Sequence, residues 1–484
     1  MSNAFEGLEP KLLFNYFEKL TRIPRCSKNE AGAIEFVLSL AREKGLEAER
    51  DGAGNVVVRL PATAGYENAP TVVLQGHLDM VGEKSADSPH DFARDPIKVI
   101  RDGDWLTADG TTLGADNGIG LAAALALMDD KEAVHGPLEL LFTVDEETGL
   151  TGAQALEPGF VKGKMLLNLD SEEEGAIYVG CAGGADTEIV LPLEREQASG
   201  DRYEIVVSGL KGGHSGLDIN TGRANAIKVC AWYLFRLLEQ ETFGLVSISG
   251  GDKHNAIPRD ARAEIVLAAG AAEKARELVE KMQKELSERH RKTDPGLKIE
   301  LRKGGGSDVP LSGPSRDRLV NLLVACPHGV LAMSQDVEGL VETSTNLAVV
   351  RCEKDRAVVL ESSRSSVQSA IDEVQEGLIA LARIAGAEAT SQGGYPGWTP
   401  NMDSPLLAEA REVYKKVTGK DAEIKAIHAG LECGIIGEKF GDMDMISFGP
   451  DIQSPHSPSE RVNIASTARF YEFLKALLAE LARG

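Results

Sequence analysis

The 484-residue sequence has only six cysteines, Cys26, Cys181, Cys230, Cys326, Cys352 and Cys433, and no CxxC pair among them. Thiols scattered in this way build neither a thiolate metal cluster nor a disulfide framework, and they suit reduced core residues of a cytosolic protein. Basic charge is also short: 52 Lys and Arg face 75 Asp and Glu, for a formal net charge of −23. That balance opposes nucleic acid and anionic membranes as partners. No Lys-rich run interleaved with aromatics and no GxxxxGK[ST] phosphate loop occurs. Long apolar runs are missing too. GIGLAAALALM is too short to cross a bilayer, and the opening residues MSNAFEGLEPKLLF lack the basic and apolar regions of a signal peptide. The expected compartment is the cytosol, and the expected partner is a small molecule.

What is present is a globular chain, 42% hydrophobic, of a length for about two or three domains. Up to about Gly184, helical patterns (PKLLFNYFEKLTRI, NEAGAIEFVLSLAREKGL) alternate with unbroken apolar runs, NVVVRL, TVVLQG, LELLFTV and MLLNL. Such runs suit strands buried on both faces of a mostly parallel sheet covered by helices. Residues 185–390 read differently. A strand–helix–two strands–helix–strand set runs from YEIVVSGL to LKIELRKG, and a helix–hairpin–helix set runs from SRDRLVNLLVAC to VQSAIDEVQEGLIALARIA. The two sets resemble a degenerate repeat of about 100 residues. From about Ser391 the first texture resumes with SPLLAEAREVYKKVTG, MDMISFG and IASTARFYEFLKALLAELARG. The expected fold is α/β: one domain of residues 1–184 and 391–484, interrupted by a two-lobed α+β insert of residues 185–390.

Polar outliers follow the apolar runs. TVVLQG leads into His77 and Asp79, LELLFTV into Asp145-Glu146-Glu147, MLLNL into Asp170, and MDMISFG, after a loop, into His456; Asp116 opens the helix GIGLAAALALM. Alone, the DEE run is a solvated acidic loop and each histidine a structural one. Together they lie past the C-terminal ends of parallel strands, where open sheets gather their binding crevice. Two imidazoles with several carboxylates suit zinc, with cobalt or manganese as alternatives, and a bridging carboxylate is the usual centre of a two-metal hydrolase. Of the adjacent glutamates, one can face a metal while the other acts as general base. Asp79 would accept the N–H of His77 and fix its tautomer.

The set GHLDMV, GADNGIG, FTVDEETG, LNLDSEEEG and SPHSPSERV, with KHNAIP, YPGWTPN and HAGLECG, resembles the di-zinc aminoacylase and carboxypeptidase-type metallopeptidases, most nearly their bacterial aminoacyl-histidine dipeptidases. The resemblance runs along nearly the whole chain. It implies that His77, Asp116 and Asp170 hold one zinc and Asp116, Glu147 and His456 the other, with Glu146 as base and Asp79 behind His77. It further implies a zinc-binding α/β domain carrying a lid, and hydrolysis of dipeptides, Xaa-His ones such as β-alanyl-histidine in particular. In the lid, His214 of GLKGGHSG resembles the family histidine that donates to the developing oxyanion, and Asn346 with Arg364 fits the family's lid pair, Arg364 as a clamp for a substrate carboxylate. Gly430 resembles the glycine loop that approaches that carboxylate; Asn255 reads as a turn residue, His428 and Glu432 as structural, and SEEEG after Asp170 as a solvated acidic turn. A deacylase of N-acyl amino acids, a broader aminopeptidase, and a metal-binding scaffold without catalysis are the alternatives. Both a monomer and a homodimer remain open.

Overall fold

The run TVVLQGH forms the strand Val72–His77, every residue of which is buried, as a strand covered on both faces must be. It is central to an eight-stranded sheet whose order is Glu47–Arg50, Val56–Leu60, Leu138–Thr143, Val72–His77, Met165–Asn168, Asp444–Ser447, Ala176–Cys181 and Glu423–Ile427. The middle strands Leu138–Thr143, Val72–His77, Met165–Asn168 and Asp444–Ser447 are mutually parallel, so their C-terminal ends share one edge. The flanking strands run antiparallel: NVVVRL, as Val56–Leu60, pairs antiparallel with Leu138–Thr143, and Asp444–Ser447 meets Ala176–Cys181 antiparallel. The computed structural model describes residues 4–484, and these form two compact units. One comprises the chain up to Gly180 with Trp398–Ala426 and Leu431–Gly484; the other comprises Cys181–Gly397 with Ile427–Gly430.

In the first unit, helices cover the sheet through apolar stripes. Lys11–Thr21 buries Leu13, Phe14, Phe17 and Leu20, and Ile464–Arg483 buries Phe470, Phe473, Leu474, Leu477 and Leu478, the spacing a helix needs to present one face to a core. The helix Ala115–Ala126 is buried along nearly its whole length. Its approach to the sheet requires glycine: a Cβ at Gly120 would stand 2.4 Å from the Leu169 carbonyl oxygen, and one at Gly118 2.9 Å from the Phe17 ring. This contact brings the start of the helix, with Asp116, beside the strand end that releases Asp170.

The second unit is built on a nine-stranded sheet in the order Lys298–Lys303, Asp201–Ser208, Ala261–Leu267, Phe243–Gly250, Val341–Cys352, Arg356–Ser365, Gly183–Pro192 and Glu388–Tyr395, with Gly329–Met333 also paired to Val341–Cys352. Its two halves join through only two residue pairs, Ser249–Arg351 and Gly250–Val350. One hydrophobic core nevertheless runs under both, from Leu278 and Met282 to Val359 and Ala382. Three strands of this sheet escape the sequence reading, Gly183–Pro192, Gly329–Met333 and Glu388–Tyr395. The first begins in glycines and alternates buried with half-buried positions, the mark of an antiparallel strand with one open face. Among the described residues no helix is long and apolar enough to cross a membrane.

Candidate metal centre

His77 is the last residue of its strand, and Asp145 and Asp170 lie two residues beyond the ends of Leu138–Thr143 and Met165–Asn168. The three acids of the DEE run then separate. Asp145, in the left-handed region with φ 52°, turns inward, where its carboxylate accepts 2.5 Å hydrogen bonds from the Thr148 and Thr151 hydroxyls. It builds the loop and leaves Glu146 and Glu147 to face the centre. The buried carboxylate of Asp79 shapes the same loop, accepting the N–H of Glu146 at 3.1 Å, the N–H of Glu147 at 3.2 Å and the Ser27 hydroxyl at 2.7 Å. Its Oδ1 also lies 3.3 Å from His77 Nδ1, so one side chain orients the imidazole and holds the glutamate loop.

Five side chains converge. His77 Nε2 is 3.1 Å from Asp116 Oδ1 and 3.2 Å from Asp170 Oδ1, while His456 Nε2 is 3.0 Å from both Asp116 Oδ2 and Glu147 Oε2. Asp116 therefore turns one oxygen toward each imidazole. The donor atoms of His77, Asp116 and Asp170 fall within 4.8 Å of one another, as do those of Asp116, Glu147 and His456, and those of His77, Glu146 and Glu147. Glu147 Oε1 is buried without a hydrogen-bond partner, which is costly for a carboxylate unless a cation meets it. The residues fit a pair of divalent cations.

The titration behaviour agrees with a strongly negative cavity. Burial opposes a charge on His77, yet Asp170, Asp116 and Asp79 lift its pKa well above the usual value. Hydrogen bonds to Asp116 and Glu147 take His456 up to about 11. Asp170 is raised to about 6, by burial first and then by Asp116 and Glu147 against the pull of His77. Burial, with Asp170, Glu147 and Glu432 adding, pushes Glu146 well up. The turn SEEEG is more than a solvated loop: burial, Asp116 and Asp170 raise Glu172 to about 9, and the Glu174 carboxylate pairs with the Arg469 guanidinium.

The sequence reading misses Glu460. It is 2% exposed, and its carboxylate accepts the backbone N–H groups of Leu113 at 2.7 Å, Gly114 at 3.0 Å, Ala115 at 2.7 Å and Asp116 at 3.3 Å. One carboxylate thus satisfies the donors at the start of the Asp116 helix and ties them to the segment that carries His456 four residues earlier. The only local signal was an acid close to that histidine in SPHSPSE.

In the second unit, Gly213–His214 pairs with Ala256–Ile257. His214 Nδ1 accepts the N–H groups of Gly216 and Leu217, both at 3.2 Å, which places the ring proton on Nε2. Burial, then the Arg364 charge, lowers its pKa to about 4, so at neutral pH it is an uncharged donor. Asn346 lies inside the strand Val341–Cys352 and donates to the Ala256 carbonyl at 2.9 Å, with its own Oδ1 buried and unpartnered. Arg364 is buried, donates to the Tyr395 hydroxyl at 2.9 Å and keeps an unpartnered Nε. Gly430 is required by Tyr395, whose ring a Cβ there would meet at 2.8 Å. His428 hydrogen-bonds the Ser344 hydroxyl through Nε2 at 2.7 Å. Tyr395, in YPGWTPN, is the partner of Arg364 that the sequence reading did not single out.

The sequence matches the family described as Peptidase family M20/M25/M40 over residues 73–480. It is 42% identical over 476 residues to the cytosol non-specific dipeptidase of Escherichia coli (strain K12), with 98% of each chain covered. The fold superposes on the crystal structure of aminoacylhistidine dipeptidase from Vibrio alginolyticus with a TM-score of 0.91 at 42% identity, covering 99% of this chain and 98% of that one. Aminopeptidase PepT from Bacillus cereus shares the fold at a TM-score of 0.58 and 17% identity, covering 98% of this chain and 99% of that one.

Proposed function

Because the chain belongs to peptidase family M20/M25/M40 and is a metallopeptidase, we propose that it is a cytosolic dipeptidase that cleaves dipeptides, Xaa-His ones among them, with two zinc ions. The observation that carries this reading is Asp116, whose two carboxylate oxygens face His77 and His456 at 3.1 and 3.0 Å. His77, Asp116 and Asp170 would hold one ion, and Asp116, Glu147 and His456 the other. Two cations bound there would polarise the scissile carbonyl and lower the pKa of a water. The remaining chemistry belongs to the protein. Glu146 takes the proton of the attacking water on its carboxylate and gives it to the amine as the C–N bond breaks, releasing two amino acids. Asp79 holds the His77 ring by its Nδ1 side. The neutral His214 offers Nε2–H to the carbonyl oxygen as charge develops, and Arg364, steadied by Tyr395, takes the substrate carboxylate.

The test is a metal analysis joined to a substrate panel. Two zinc ions per chain and turnover of β-alanyl-histidine and other dipeptides, with tripeptides and N-acyl amino acids untouched, are expected. Failure of the zinc- and cobalt-loaded protein to cleave any dipeptide would overturn the reading. Turnover of acyl amino acids at the dipeptide rate would replace it with a deacylase.

A further inference from the structure

One layer beneath the ligands lies a row of buried polar side chains. Gln75, Thr143 and Asn168 each precede a residue of the site loops by two positions, His77, Asp145 and Asp170, and two residues along a strand return to the same face of the sheet. All three are at most 1% exposed, as are Ser447 and Glu432. They are joined side chain to side chain across four neighbouring strands. The Ser447 hydroxyl donates to Asn168 Oδ1 and the Asn168 amide to Gln75 Oε1, both at 2.5 Å. The Gln75 amide then donates to Glu432 Oε2 at 2.5 Å, and the Thr143 hydroxyl meets the same oxygen at 2.6 Å. The row ends on a fully buried carboxylate at the first turn of the helix Glu432–Phe440, whose other oxygen has no partner.

Such a row is an expensive way to fill a core. Apolar side chains of the same volume would cost no desolvation, and a buried carboxylate with an unmet oxygen is an inefficient source of stability. What hydrogen bonds supply and apolar contacts do not is direction and spacing. We infer that Glu432 is a positioning residue: by accepting from Gln75 and Thr143 it fixes the relative placement of the two strand ends that carry His77 and the Glu146–Glu147 loop. The inference rests on the two-cation hydrolase reading. It also changes the role of Glu432 from a structural neighbour of the Gly430 loop to a support of the metal platform.

The experiment compares Glu432→Leu, which removes the acceptor, with Glu432→Gln, which keeps an acceptor oxygen at the same reach. Both are prepared as the full chain loaded with Co2+. In Glu432→Leu, kcat should fall ~10–100-fold, the range for losing a partner that orients metal ligands, while KM for β-alanyl-histidine stays within about threefold. Co2+ should bind more weakly, and its visible absorption should shift; Glu432→Gln should recover most of each change. Should Glu432→Leu fail to fold, Thr143→Val withdraws only one donor and is expected to move the same readouts in the same direction. A lower melting temperature with unchanged kcat per metal-loaded chain and an unchanged cobalt spectrum would overturn the proposal. A wild type that binds Co2+ but cleaves no dipeptide would instead remove the dipeptidase reading, and the cobalt readouts would still decide the case of Glu432.

Discussion

At the scale of single residues, Asp145, Glu146 and Glu147 show how three identical charges acquire three tasks. Asp145 is committed to two threonine hydroxyls, Glu147 Oε2 lies 3.0 Å from His456, and Glu146 stands beside His77 and Glu147 with a pKa raised by burial. Substituting each should therefore fail differently. Glu146→Gln should retain its metal, measured by elemental analysis, and lose ~10²–10⁴-fold in kcat, the usual contribution of a positioned base. Glu147→Ala should release one metal ion per chain, and an unchanged metal content would remove it from the ligand set. The acid run itself was legible as a cluster in need of a cation, because like charges at a strand end repel. The inward turn of Asp145 was not, since the run alone does not tell which acid is spent on the loop.

At the scale of elements, the start of the helix Ala115–Ala126 is held by a carboxylate more than 340 positions away: Glu460 gathers four backbone N–H groups. Glu460→Gln would point amide hydrogens at part of that cradle, leaving buried donors unmet. Titration of the metal-free variant with zinc should show ~10–100-fold weaker binding at both ions, because Asp116 faces both imidazoles. A second buried acid acts on stability. Glu361, fully buried on the strand Arg356–Ser365, is raised from 4.5 to about 8, chiefly by burial. The folded state therefore holds a proton that the unfolded state has already lost between pH 4.5 and 8, and stability falls as pH rises through that window. Glu361→Gln lacks this dependence. The melting temperature of the variant minus that of the wild type should grow steadily from pH 4.5 to 8, and a constant difference would refute the assignment.

At the scale of the whole molecule, the candidate metal ligands lie in one unit and His214 and Arg364 in the other, so cation binding should stabilise the units unequally. Ligand that binds only the folded site at a thousandfold above its Kd adds about 4 kcal/mol. In scanning calorimetry, zinc should raise and a chelator lower the transition of the first unit, with that of the second unmoved. By itself the sequence determined the parallel strands and which imidazoles and carboxylates stand at their C-terminal ends. Periodicity and strand-end position are properties of a short stretch of chain and survive in any context. Only the tertiary structure decided which acid turns inward, that Glu460 cradles the Asp116 helix, that Glu432 closes a polar row beneath the ligands, and that Tyr395 explains Gly430. All but the first depend on a hydrogen bond or close contact between segments far apart in sequence, and a partner's identity is a matter of distance in space that no local pattern records.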